Sequence, residues 1–159
     1  MRMGIYSDKV HDVKDIPDGA TIAIPNDPTN GGRGLLLLQR AGLLKLKDGV
    51  GMKATPKDVV DNPKHLKFKE LEAAQLPRSL ADVDAAAITM NYVMSGGLDV
   101  KKQNIFLEPK DEPLAVMIIA ARNKDKDKEA YKAFVKAYQS EAVKKFIVDK
   151  YKGTIEPAF

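Results

Sequence analysis

The stretch TIAIPNDPTNGGRGLLLL, residues 21–38, constrains the fold more than any other part of the chain. Residues 21–24 are β-branched or small and read as a buried strand, which Pro25 stops. Asn26 to Gly32 gathers loop-forming residues, and Leu35 to Leu38 open a helix that Gly42 closes. The pattern is strand, tight loop, helix, with Arg33 at or near the first helical turn. A helix N-terminus carries unpaired N–H groups and a partial positive charge, and Gly31 and Gly32 would let a ligand approach the backbone. An arginine is poorly placed against that dipole, so a negative group is expected beside it. The same residues also fit an ordinary strand-to-helix turn capped by Thr29 or Asn30, with Arg33 in solvent.

The rest of the chain supports an alternating architecture. Residues 4–7 read as a strand end, 11–16 as a short helix or turn, and Pro17-Asp18-Gly19 as a turn into the strand at Thr21. A loop or short hairpin is expected over 45–51, and Pro56 suits the first position of a short capped helix over 55–60. Residues 66–71 alternate apolar and polar like a half-buried strand, and 75–80 enter a short helix. Residues 84–89 form a small-residue strand, 105–107 another that Pro109 ends. The most apolar run, LAVMIIAA over 114–121, reads as a central strand. Helices are expected over 126–139 and 141–151, with Ser140 as the cap between them. The class is α/β with a mainly parallel sheet, in which ligands bind beyond the carboxyl ends of strands.

At 159 residues, 44% apolar and 30% charged, the chain has the make-up of a globular protein with a real core. Its net charge of +4 comes from lysines interleaved with acids, and no block of five like charges occurs. Nucleic acid is therefore not an expected partner. There is no cysteine, so disulfide and thiolate chemistry are excluded. No apolar run reaches membrane-spanning length, and MRMGIY does not read as a signal peptide.

Catalytic patterns are missing. His11 and His65 lie in polar stretches, no metal-ligand spacing occurs, and NDPTNGGRG lacks the lysine ending of a phosphate loop. No cofactor or metal is expected, and the chain is read as a non-enzyme. What remains is binding chemistry. Arg33 can fork onto a carboxylate, with Asn30, Gly31 and Gly32 beside it. Thr89 and Asn91, at a neighbouring strand end, offer oxygens to an ammonium, although Asn91 could equally cap a helix.

AIPNDPTNGGRGLLLL, AGLLKLKDG and NPKHLKFKELEAAQLPRSLADVDAA, with MGIYS at the start and AYQSEAVKKFIVDKYKGTIEPAF at the end, are similar to the NlpA-type lipoproteins. That family comprises the methionine-binding, MetQ-type substrate-binding proteins of ABC importers. The resemblance implies a type II periplasmic-binding-protein fold of two α/β lobes with an amino acid held between them. It implies an ABC permease as partner and lipid anchoring at the outer face of the cytoplasmic membrane. On this reading residues 1–7 are the remnant of the first crossover strand and 8–112 the second lobe. Residues 113–159 are then the return strand and helices that belong with the first lobe, most of which would lie upstream. Uncovered apolar faces on those helices would favour a homodimer. The family's carboxylate holder corresponds to Arg33. The asparagines the family usually has are Thr89 and Val116 here.

Overall fold

The computed structural model describes residues 1–159, which divide into two compact units, one of residues 2–110 and one of Met1 with residues 111–159.

The larger unit is organised by the strand-to-helix stretch at its centre. Seven strands are β1 (Met3–Tyr6), β2 (Thr21–Pro25), β3 (Lys45–Leu46), β4 (Val59–Asp61), β5 (Lys67–Leu71), β6 (Ala85–Thr89) and β7 (Asn104–Leu107). Five of them make one sheet in the order β5-β2-β6-β1-β7, while β3 and β4 form a small antiparallel pair. β2 lies parallel to both β5 and β6, with Thr21 opposite Lys67 and Ile22 opposite Ala85. β1 is antiparallel to both β6 and β7. Strands β5, β2, β6 and β7 therefore run one way and β1 alone opposes them, a mainly parallel sheet.

Helix α1 (Pro28–Arg40) follows β2 and packs back on the sheet. Its leucines 35, 37 and 38 are buried among Ile5, Ile22, Ile24 and Ala87. Each such side chain contributes about 1.5–3 kcal/mol of burial. Close approach is possible because β6 presents the small Ala85 and Ala87 on this face, and because Gly34 faces it. A Cβ on Gly34 would stand 3.4 Å from that of Ala87. Short helices α2 (Leu76–Ser79), α3 (Met90–Ser95) and α4 (Val100–Gln103) complete this unit.

The start of α1 corrects the sequence reading. Asp27 caps the helix and Pro28 opens it, so Gly31 and Gly32 are helical residues and not loop. Two physical signals favoured the earlier start: proline suits the first helical position, and Asp27 accepts from the Asn30 N–H at 2.9 Å. Gly42, with φ of +76°, lies just past the helix end as expected.

In the smaller unit α5 (Glu129–Tyr138) and α6 (Glu141–Tyr151) lie where helices were expected, with Ser140 accepting from the Val143 N–H at 3.4 Å. Buried Asp125 ties the turn before α5, taking Arg122 and Lys128 at 2.7 Å each. The Met1 ammonium donates to the Ala115 carbonyl. Residues 114–121 are not the expected strand. A 3-10 turn spans Pro113–Ala115, and 116–122 have no regular structure. A strand needs a neighbour for its N–H and C=O groups. This run pairs with none, and Met117 and Ile118 stand 71% and 81% exposed.

Candidate functional site

Three of the parallel strands end at the same edge of the sheet. Pro25 ends β2, Thr89 ends β6 and Leu107 ends β7. Asp27 with α1, α3, and Glu108 follow them respectively.

Arg33 lies in the second turn of α1, not the first, and is only 7% exposed. The negative group expected beside it is present and belongs to the chain itself. Glu108 accepts from Arg33 Nε at 2.8 Å and from Nη2 at 2.5 Å, a bidentate pair in which both side chains are buried. Glu108 also accepts the Met3 backbone N–H at 2.6 Å on the same oxygen that meets Nη2. Its own N–H donates to the Met3 carbonyl at 3.0 Å, so β7 and β1 together fix the carboxylate. Arg2 lies nearby, donating to the Glu108 backbone carbonyl at 3.5 Å.

The other expected site residues divide. Asn30 donates its side-chain amide to both Asp27 oxygens at 3.1 Å, which makes it a partner in the helix cap. An anion at the α1 N-terminus is thus supplied by the chain itself, as Asp27. Gly31 and Gly32 do permit close backbone approach, but by the chain's own backbone. A Cβ on Gly31 would fall 2.7 Å from the Pro25 carbonyl oxygen, and one on Gly32 only 2.1 Å from that of Met52. Thr89 is buried at the cap position of α3, with no side-chain cap bond, and lies opposite Met3 in register. It therefore stands on β6, next to β1, whose Met3 N–H donates to Glu108. Asn91 is half-buried in the first turn of α3, while the cap position belongs to Thr89.

Glu108 was missed in the sequence. The only signal for it is an acid between the apolar strand IFL and Pro109, where a solvated turn residue would have read the same way. A cavity of about 290 Å³ beside Leu36, Gln39 and residues 45–51 contains none of the expected site residues. No group of three or more acidic, histidine or cysteine side chains is arranged to hold a metal ion. No helix is long and apolar enough to cross a membrane.

An α/β unit of this topology, with polar groups gathered at the carboxyl edge, has the architecture of one lobe of a periplasmic-type binding protein. The family model described as NlpA lipoprotein matches residues 1–159, and the chain belongs to that family. It is 47% identical over 150 residues to a probable D-methionine-binding lipoprotein MetQ of Pasteurella multocida, covering 94% of this chain and 54% of the relative. To the D-methionine-binding lipoprotein MetQ of Escherichia coli O157:H7 it is 53% identical over 140 residues, covering 87% of this chain and 51% of the relative. A nutrient binding protein from Burkholderia cenocepacia, solved bound to methionine, superposes with a TM-score of 0.88 at 46% identity. That match covers 99% of this chain and 66% of the solved one. The chain spans about half the length of the curated relatives it matches.

Proposed function

We propose that this chain serves as a lobe of the solute-binding component of an ABC importer for methionine or a related amino acid or small peptide, with Arg33 as the holder of the ligand carboxylate. The observation that carries the reading is a buried guanidinium, fixed in orientation by Glu108, at the carboxyl edge of a mainly parallel sheet. Thr89 and Asn91 at the same edge supply oxygens for an ammonium. The names of the relatives and the methionine in the Burkholderia structure support the choice of ligand. In this reading residues 8–112 are the second lobe, and residues 113–159 are the return segment and helices that belong with the first. Hinge closure around the zwitterion would precede delivery to a membrane permease, and the lipoprotein relatives support lipid anchoring at the outer face of the cytoplasmic membrane.

NMR titration with methionine and with methioninamide, which lacks the carboxylate, tests the assignment. The Arg33 Nε–H resonance should move with methionine and stay still with the amide. Equal movement with both would exclude Arg33 as the carboxylate holder.

We infer further that the chain self-associates through apolar side chains left in solvent on the smaller unit. Phe134, Tyr138 and Phe146 are exposed along with residues 116–119, and large apolar side chains left in solvent in such number favour a partner. Light scattering should give a dimer at micromolar concentration, and a stable monomer would reject the inference.

A further inference from the structure

An acid or amide side chain followed by glycine is where a chain most readily rearranges its own backbone, because glycine has no Cβ to shield its nitrogen from that side chain. The chain has three such pairs, Asp18-Gly19, Asn30-Gly31 and Asp48-Gly49. Attack needs an uncommitted glycine N–H and a side chain able to swing onto it. Two of the pairs are denied both. The Gly19 N–H donates to the Lys64 carbonyl at 2.7 Å, and the Asp18 carboxylate is held by His65 Nδ1 at 2.7 Å. The Gly31 N–H donates to the Asp27 carbonyl at 2.8 Å inside α1, and the Asn30 amide is tied to both Asp27 oxygens. Asp48-Gly49 lacks these restraints. The Gly49 N–H meets no acceptor in the chain, and the Asp48 carboxylate has no hydrogen-bond or ion-pair partner. Both residues are exposed, and nothing stands within 4 Å of the position a Cβ on Gly49 would take.

We propose that Asp48 is a site of isoaspartate formation in the folded protein. The Gly49 nitrogen bonds to Asp48 Cγ, and its proton leaves with the hydroxyl of the carboxyl's acid form as water. Water then adds to the main-chain carbonyl of the cyclic imide, the bond from that carbon to nitrogen breaks, and the chain runs on through Cβ and Cγ. One water leaves and one enters, so mass is unchanged and no oxidant or reductant is needed. The main chain gains one carbon between two pinned ends. Before it, the Leu46 N–H donates to Gln39 Oε1 at 2.6 Å and the Lys47 N–H to the Asp58 carbonyl at 2.8 Å. After it, the Lys53 N–H donates to the Val50 carbonyl at 3.2 Å, closing the turn that contains Met52. The Met52 carbonyl backs Gly32, next to Arg33, so the lengthened loop loosens the packing behind that arginine.

The test incubates the full chain in warm, mildly acidic buffer, native and in guanidinium, and maps isoaspartate by electron-transfer fragmentation of its peptides. Folding should slow conversion at residues 18 and 30 by at least about tenfold and at Asp48 by no more than about threefold, because only committed amides must wait for local opening. Asp48 should therefore be the leading isoaspartate of the native protein, although the asparagine pair leads in the unfolded chain. Asp48→Glu, whose longer side chain would have to close a larger ring, should abolish the signal at this position and leave the fresh protein's melting temperature unchanged. After incubation the parent should melt below that variant. A native protein in which residue 48 is slowed as strongly as 18 and 30, or in which residue 30 leads, overturns the proposal. Isoaspartate at residue 48 with no difference in melting between aged parent and variant refutes the loosening behind Arg33.

Discussion

Replacing Glu108 with alanine should be among the most destabilising single changes in the larger unit. The substitution leaves the buried Arg33 guanidinium without the carboxylate that accepts at 2.8 and 2.5 Å, and it strips the Met3 N–H of its side-chain acceptor at 2.6 Å. Arginine cannot shed its charge by losing a proton. Breaking a buried pair in this way costs about 3–5 kcal/mol, and an orphaned backbone donor adds roughly 1–3 kcal/mol if water cannot reach it. With a urea slope of about 1.5 kcal/mol per molar, the unfolding midpoint should fall by roughly 2–5 M. The double change Arg33→Met with Glu108→Leu removes both charges and keeps the volume. Its cost should lie at least about 2 kcal/mol below that of Glu108→Ala, because replacing a whole buried pair by apolar groups is often neutral, while the Met3 N–H loses its acceptor in both variants. Urea melts of the singles and the double, followed by circular dichroism, give the coupling directly. A Glu108→Ala protein within about 1 kcal/mol of the parent would refute the reasoning, as would a double variant whose loss equals the sum of the singles.

Gly32→Ala should cost at least about 1–3 kcal/mol, because its Cβ would lie 2.1 Å from the Met52 carbonyl oxygen and backbone yields poorly. Gly34→Ala meets only side-chain atoms at 3.4 Å and beyond, so thermal melts should show it near neutral or slightly stabilised by helix propensity. Burial pushes the Tyr6 phenol up to about 12, against the opposing influence of Arg2 and of the Asn104 hydrogen bond. A raised folded value means the stabilisation is complete below the unfolded value near 10 and is lost as pH climbs toward 12. Urea midpoints should drop over that window by the equivalent of about 2–3 kcal/mol, and Tyr6→Phe should remove most of the drop.

Much of the larger unit was legible because its elements obey local rules that tertiary contacts do not override. TIAI before Pro25, KFKEL with its alternation, and the alanine run of β6 all became strands of the main sheet. Where local rules conflicted, the reading failed. Gly31 and Gly32 have poor helix propensity, and only the packing of α1 against Pro25 and Met52 explains why glycine sits inside a helix. Residues 114–121 have the composition of a central strand, but strand pairing is non-local and nothing in an apolar run reveals whether a partner exists. The site shows the same division. That Arg33 requires an anion was readable from charge and helix position. That the anion is Glu108, 75 residues away, depends on β7 returning beside β1, a juxtaposition created by topology. The partner of Asn30 is local instead, the cap residue Asp27 three positions before it, and the loop expected over 26–32 hid that cap.

The central claim is that Arg33 holds a ligand carboxylate, and methionine titration of the parent and of Arg33→Ala tests it most directly. A charge-assisted anchor contributes roughly 1.5–3 kcal/mol, and burial of a methionine side chain up to about 3 kcal/mol more. Association costs at least about 4 kcal/mol. Since a millimolar Kd needs a net of about 4 kcal/mol, this chain alone should bind more weakly than millimolar. Heteronuclear NMR at high methionine should then show saturable shifts at Arg33, Thr89 and Asn91 in the parent, and none at Thr89 or Asn91 in a folded Arg33→Ala protein. Shifts that persist unchanged without the guanidinium, or a parent that shows none, would contradict the account.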